Sequence, residues 1–426
     1  MTMTRIRSVH AREIIDCRGY PTVEVDVTLE SGVLGRAGVP AGLSTGTHEA
    51  HEIRDGGERY RGLGVRAAVR NINEVIAPAL AGKDATLQRE LDVFMCQELD
   101  GTPEKSKLGS NAVVGVSLAL AQAAAAAAGK PLYRYLNPAA HVIPTPLFNL
   151  INGGKHASGD LEVQEFIIMP VGAKSLSHAL QICTEVMFDL RDLIVAKYGK
   201  IAVNVGDEGG FVPPMTGVRE PLDAIVQAVE RAGYADLVVY GLDVAATHFY
   251  DPEEQVYRLA GEELSRDDMI ALYKELCTDY QLVSVEDALY EDDFDGWAQL
   301  TATLPHIQWV GDDLFVTNPE RVRKGIEMGA ANAVLWKVNQ IGTLTEAWDV
   351  ADLAYRHGYG VQVSERSGET EDPIIADLTV ALSAGQIKTG APVRGERTSK
   401  YNQLLRIEEE LGDQAVYAGR DFRWRG

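Results

Sequence analysis

QLVSVEDALYEDDFDGWAQLTATLPHIQWVGDD (281–313) holds two short apolar runs, 281–285 and 306–310, and each gives way to a carboxylate, first Glu286 and then Asp312, 26 residues apart. An apolar run of strand length that ends on a charge, repeated after one helix-sized interval, is the mark of a βα unit. Outward from this stretch the pattern recurs. Eight runs qualify: 163–169, 201–205, 237–242, 281–285, 306–310, 333–338, 360–364 and 385–389. Amphipathic helices separate most of them, among them 220–232 and Pro319–Met328, the latter with Asn318 as N-cap and proline at its first position. Eight such runs predict a parallel-type α/β barrel.

In or just after these runs stand Glu165, Glu208, Asp243, Glu286, Asp312, Lys337, Glu365 and Lys388. In an α/β barrel the strand ends converge on one mouth, so these charges meet despite their separation in sequence. Buried carboxylates are costly unless paired or bound to metal. Asp243, Glu286 and Asp312 form an oxygen-only donor set suited to Mg²⁺, although each could instead cap a helix or pair with an arginine. Lys337 and Lys388, beside a cation, are candidates for a neutral general base. Glu165 and Glu208 can share a proton, and Arg366-Ser367-Gly368 offers a fork, a hydroxyl and a backbone to an oxyanion.

The first 130 residues read differently. Residues 22–37 alternate as a β-hairpin, and 66–81, 88–99 and 110–128 show helical spacing, giving a small α+β unit. The Pro40–Thr47 stretch reads as a mobile loop, and the proline-rich 131–146 stretch as the junction. The expected domains are an N-terminal α+β cap over 1–135 and the barrel over 140–426. A net charge of −22 makes nucleic acid and membrane surfaces poor partners. The four scattered cysteines point to reduced cytosol rather than a disulfide framework, and the alanine-rich 119–128 segment reads as a buried helix.

NVGDEGGF (204–211), VEDALYEDD (285–293), GDDLFVTN (311–318), KVNQIGT (337–343), RSGETED (366–372), GQIKTGAP (385–392) and KYNQLLRIEEELG (400–412) closely resemble enolase, the Mg²⁺-dependent phosphopyruvate hydratase. The resemblance spans the chain, including DCRGYPTVEV (16–25) and STGTHEA (44–50). It implies a modified TIM barrel with an N-terminal α+β capping domain, and two Mg²⁺ per site. Asp243, Glu286 and Asp312 are the implied ligands of the first ion and Ser44 of the second. Lys337 is the implied base at C2, with Glu208 and Glu165 assisting departure of the C3 hydroxyl. Lys388 would stabilise the substrate carboxylate, Arg366 and Ser367 would hold the phosphate, and Ser44 and Gln164 would also contact substrate. His156 matches a further active-site histidine. The implied partner is a small phospho- or phosphono-carboxylate, with the chain assembled as a cytoplasmic homodimer or larger homo-oligomer.

Several motifs depart from the family pattern. Where enolases read Ser-His-Arg-Ser, this chain reads Ser364-Glu365-Arg366-Ser367, which makes Glu365 a candidate catalytic group. The family Glu in Ala-Ser-Glu-Phe is His248, so the two changes read either as a charge exchange or as unrelated. Further departures are Ala41 and Leu43 in the loop, Cys17 and Tyr20, and Ala288. Changes around an intact metal and lysine set lead to the expectation of a specialised paralog resembling carboxyphosphonoenolpyruvate synthase of phosphonate antibiotic biosynthesis. Ordinary phosphopyruvate hydratase and a non-catalytic enolase-fold scaffold are the alternatives.

Overall fold

The computed structural model describes residues 3–42, 46–157, 159 and 161–423. Its N-terminal part is a three-stranded antiparallel sheet of Ile6–Ile15, Pro21–Leu29 and Leu34–Gly38. Alternate residues of the central strand, Val23, Val25 and Val27, are fully buried, as the two-residue strand period requires of a sheet with one covered face. The expected 22–37 hairpin is its second and third strands. Its first strand, Ile6–Ile15, lies outside that hairpin. The cover is the helix Ser110–Ala127, which is long and apolar enough to cross a membrane yet 83% buried in protein. The 66–81 and 88–99 spacings are helical as expected, interrupted by wider turns over Asn71–Ile76 and Phe94–Asp100.

The rest is a closed eight-stranded barrel. In chain order its strands are Thr145–Asn152, Glu165–Met169, Val239–Asp243, Leu282–Glu286, Gln308–Gly311, Ala333–Trp336, Gly360–Ser364 and Gln386–Lys388. Seven of these fall in expected runs. The eighth expectation, 201–205, is wrong: residues 200–203 form a short helical turn at the surface, with Ile201 83% exposed. Its place is taken by Thr145–Asn152, buried along its whole length. That strand was hidden because it starts inside the proline-rich stretch read as a junction, with Pro146 as its second residue.

The barrel is also not wholly parallel. Glu165–Met169 runs antiparallel to both its neighbours. Only the short, helix-poor segment 153–164 links it to the first strand, and a parallel return needs a longer crossover. This reversal matters for the site, because it puts the first residue of the strand, Glu165, at the mouth where the other strands end.

Strand alternation then aims the side chains. Trp336 points outward, its indole N–H bonding Ala347 O at 2.6 Å, so Lys337 turns inward at the mouth. Trp297, Trp309 and Trp336 are all fully buried; truncating such a side chain to alanine costs about 3–5 kcal/mol.

Candidate active site

Register places the acidic residues in a row. Asn152 pairs with Glu165, Glu165 with Asp243, and Asp243 with Glu286 on successive strands. Ser364 pairs with Lys388 across the mouth. The Lys388 ammonium lies 2.8 Å from both oxygens of Glu286, 2.9 Å from Asp243 Oδ2 and 3.2 Å from Glu165 Oε1. Burial disfavours its charge, but these carboxylates win and raise its pKa well above the ordinary lysine value. Gln164 Nε2 donates to Asp243 Oδ2 at 3.0 Å, and Gln362 Nε2 to Glu286 Oε2 at 3.2 Å.

One strand further on, Lys337 Nζ donates to Asp312 Oδ2 and Gln340 Nε2 to Asp312 Oδ1 at 2.8 Å. Burial opposes charge on Lys337 as well, yet Asp312 holds its pKa above the ordinary value. In return Lys337 keeps the buried Asp312 carboxyl below its usual range. Asp287, which sequence reading passed over, organises this region. Its two carboxylate oxygens accept the backbone N–H groups of Asp312 and Asp313, each at 2.9 Å, while its carbonyl accepts Ala246 N at 3.0 Å. It thereby ties together three strand-end loops. Burial and the crowd of carboxylates raise Asp287 well above the ordinary value, and push Asp313 up to about 8.

At the other end, His156 Nδ1 lies 3.3 Å from Glu208 Oε1 and 3.6 Å from Glu165 Oε1. Glu208 sits on no strand. It is held in its loop by Asn149 Nδ2 at 3.0 Å on Oε2. Burial and the charge of Glu208 raise Glu165 well above the ordinary glutamate value. Burial alone would raise Glu208 too, but His156, the Glu165 proton, Lys388 and Arg397 hold it below. The two carboxyls therefore titrate as a pair, with Glu165 the more proton-binding partner and Glu208 the less. Burial lowers the His156 pKa, against the pull of Glu208 and Asp243 toward the charged ring.

Glu365 is 2% exposed, with Oε2 paired to Arg397 and accepting Thr389 Oγ1 at 3.0 Å. Burial pushes its carboxyl up to about 8 against the pull of Arg397. Among the described residues nothing bonds Glu365 to His248. The main charged neighbours of His248 are Lys155, Asp243, His156 and Asp312, and burial pushes it down to about 4. The charge-exchange reading thus gives way to a different partner, Arg397.

Arg366 is gripped by Glu49 of the N-terminal part, at 3.0 and 3.1 Å, and by Asn339 Oδ1 at 3.2 Å. Ser367 Oγ accepts Arg18 Nη1 at 3.4 Å. Ala41 and Gly368 exchange backbone hydrogen bonds of 2.8 and 2.9 Å. A Cβ on Gly368 would stand 2.6 Å from the backbone oxygen of Ala41, so glycine lets the two parts meet here. Between them lies a cavity of about 370 Å³ lined by Pro40, Glu49, His51, Asn339 and Arg366, within the size range of small-molecule sites. A larger groove of about 1210 Å³ on the outside of the barrel contains none of the expected residues. Ser44 lies outside the described residues.

The chemistry of the donors fits a hard dication. Asp243, Glu286 and Asp312 offer only oxygen, stand on consecutive strand ends, and already gather two ammonium groups as counter-ions. The sequence motifs pointed to these residues. They gave no sign of Asp287, Glu49 or Arg397, whose partners lie far away along the chain.

Two family models match in tandem: the enolase N-terminal domain over residues 6–136 and the enolase C-terminal TIM barrel domain over 140–425. The chain is 58% identical over 419 residues to a protein named Enolase from Methanocaldococcus jannaschii, covering 98% of each. It is also 57% identical over 423 residues to Enolase from Methanopyrus kandleri, covering 98% of this chain and 99% of that one. Enolase from Pyrococcus furiosus is 58% identical over 422 residues, again covering 98% of each.

Proposed function

This chain belongs to the enolase family of Mg²⁺-dependent hydro-lyases, and from that premise we propose that it is an ordinary phosphopyruvate hydratase, converting 2-phosphoglycerate to phosphoenolpyruvate and water. Full-length relatives at 57–58% identity bear the name Enolase, which favours this reading over the carboxyphosphonoenolpyruvate-forming one. The departure at Glu365 asks for no new substrate, because Arg397 is its counter-ion.

The observation that carries the proposal is the division of labour across the mouth. Lys337 follows the sixth barrel strand and Glu165 opens the second, four strands apart in an eight-stranded ring, so a substrate between them meets a base on one face and an acid on the other. In this reading Lys337 Nζ removes the C2 proton. Its proton affinity is set by Asp312, and any drain on the charge of that carboxylate brings the amine toward the range a general base needs. Glu165 and Glu208 share a proton and deliver it to the departing C3 hydroxyl. Arg366 and Ser367 hold the phosphate, which competes with Glu49 for the guanidinium. Lys388 and Gln164 flank the substrate carboxylate, and His156 orients Glu208.

Asp243, Glu286 and Asp312 would hold the first Mg²⁺, which supplies positive charge against the carboxylate as C2 loses its proton. We assign the second ion to Ser44 on the loop. Four unpaired cysteines accord with a cytoplasmic setting, and we read the assembly as a homodimer.

The test is an assay of purified protein with 2-phosphoglycerate and Mg²⁺, followed by phosphonoformate or its activated nucleotide ester. Turnover of 2-phosphoglycerate at the rate of the archaeal relatives is expected. Turnover only with the phosphonate substrate would restore the specialised reading, and no Mg²⁺-dependent exchange of the C2 proton would leave a scaffold.

A further inference from the structure

One of the two carboxylates at the dehydrating end of the site is on a loop, and loops need fixing from outside. Glu208 reaches the mouth from the turn Gly206–Gly210, with no strand beneath it. The phosphate-binding candidates Arg366 and Ser367 follow the seventh strand and belong to another loop. One side chain joins the two. Arg397, on the helix Gly395–Leu411, is 0% exposed. Its Nη2 donates to Asp207 O at 2.9 Å and to Ser367 O at 2.8 Å, and its Nη1 donates to Arg366 O at 2.8 Å while pairing with Glu365. Glu365 in turn is fixed by Thr389 Oγ1 and, through its own backbone N–H, by Lys388 O at 3.0 Å.

The three groups converge on Gly390, which has φ +76. A Cβ there would stand 2.5 Å from Glu208 O, 3.0 Å from Glu365 Oε1 and 3.2 Å from Arg397 Cδ. A planar fork with several fixed donors can hold three carbonyls and a carboxylate at once, and an ammonium cannot. The carboxylate it holds is a liability only when unpaired, since a buried charge stripped of its partner is strongly destabilising. With Arg397 present, Glu365 adds no net charge next to Glu208, whether it is ionised and paired or protonated.

We propose that Arg397 is the positioning residue of the dehydrating end of the site: its guanidinium locks the Glu208 loop to the Arg366–Ser367 loop and carries Glu365 as its counter-ion. This rests on the hydratase reading above. It touches neither Lys337 nor the Asp312 region, so it acts on elimination and phosphate binding and not on removal of the C2 proton.

Two measurements test it on the full-length protein with Mg²⁺. In Arg397→Lys, which keeps the charge and loses the fork, elimination of water from 2-phosphoglycerate is expected to fall about a hundredfold, the scale of a misplaced catalytic group. Exchange of the C2 proton with deuterated solvent should stay within about threefold of wild type, and KM should rise. An equal fall in both steps, or no fall in either, would overturn the proposal. The second measurement needs no substrate. Arg397→Gln should lower the thermal midpoint by several degrees or more, and adding Glu365→Gln should recover part of that loss, because the stranded acid is gone. If Arg397→Gln does not fold, recovery of a folded Arg397→Gln/Glu365→Gln protein is the expected sign of pairing. Additive losses, or a double variant that stays unfolded, would overturn it. A wild-type protein that neither exchanges nor dehydrates 2-phosphoglycerate would overturn the hydratase reading instead, leaving the thermal comparison to judge the pair.

Discussion

The Asp287–Asp312–Asp313 group is organised by backbone amides, whereas the His156–Glu165–Glu208 group, equally close-packed, is organised by side chains. The first arises where consecutive parallel strands end together, so the N–H groups that open one loop meet the carboxylate that ends its neighbour. The second arises where an antiparallel strand and a loop are brought to the same mouth, and it is balanced by His156, Lys388 and Arg397. A cluster held by groups that themselves ionise is suited to passing a proton; a cluster whose backbone amides are pinned by one carboxylate is suited to fixing where its side chains stand.

The largest expected effect lies beside the first group, in the oxygen donor set that shares Asp312 with it. Glu286→Ala removes a carboxylate from the oxygen donor set and is expected to cut turnover about a thousandfold or more at saturating Mg²⁺, as several kcal/mol of charge stabilisation are lost. Steady-state assays with and without chelator check this, and full turnover in chelator would refute the metal assignment altogether.

Next come the two ends separately. Lys337→Ala should abolish exchange of the C2 proton with solvent, while Glu208→Gln should slow elimination by about a hundredfold or more and leave exchange detectable by NMR in deuterated water. Wild-type exchange in Lys337→Ala would move the base elsewhere.

A smaller effect sharpens the claim about backbone organisation. Asp287→Ala frees the amides of Asp312 and Asp313, and the Mg²⁺ concentration for half-maximal activity should rise about 10–100-fold, the usual range for groups that orient metal ligands. Asp287→Asn, which keeps one acceptor, should fall between that variant and wild type. Titration of activity with Mg²⁺ resolves them.

The smallest concerns pH. In the folded chain Asp313 titrates at about 8 against an ordinary 3.8, so between about pH 4 and pH 8 the folded state binds the proton that the unfolded state has released. Its contribution is therefore present below about pH 4 and is lost as pH rises through 8. Asp313→Asn, a mimic of the protonated acid, should flatten that decline. Urea unfolding of the metal-free protein across this range is the measurement, and a curve of unchanged slope would remove Asp313 from the account.

How much of this was legible in the sequence differs from element to element. Seven strands announced themselves because each is a local apolar run, and the charges at their ends were visible for the same reason. Thr145–Asn152 was not, because a strand buried on both faces lacks alternation and this one carries a proline. The long motifs identified the family and drew attention to the carboxylates and lysines that the fold brings to the mouth, since each motif is contiguous along the chain. They did not reveal which partner each charge would find, and Glu365 looked like an added negative charge at the mouth.

What the sequence by itself determined is the order of chemical groups around the barrel, since strand period and strand length are local properties of the chain. Only the tertiary structure decided the direction of Glu165–Met169, which turns the first residue of a strand into a mouth residue. The same holds for the grip of Glu49 on Arg366 and of Arg397 on Glu365 and Asp207. Arg397 and Asp207 are 190 residues apart. Such pairings leave no periodic trace, because they are selected by the cost of leaving a buried charge unpaired, and that cost exists only once the chain has closed around it.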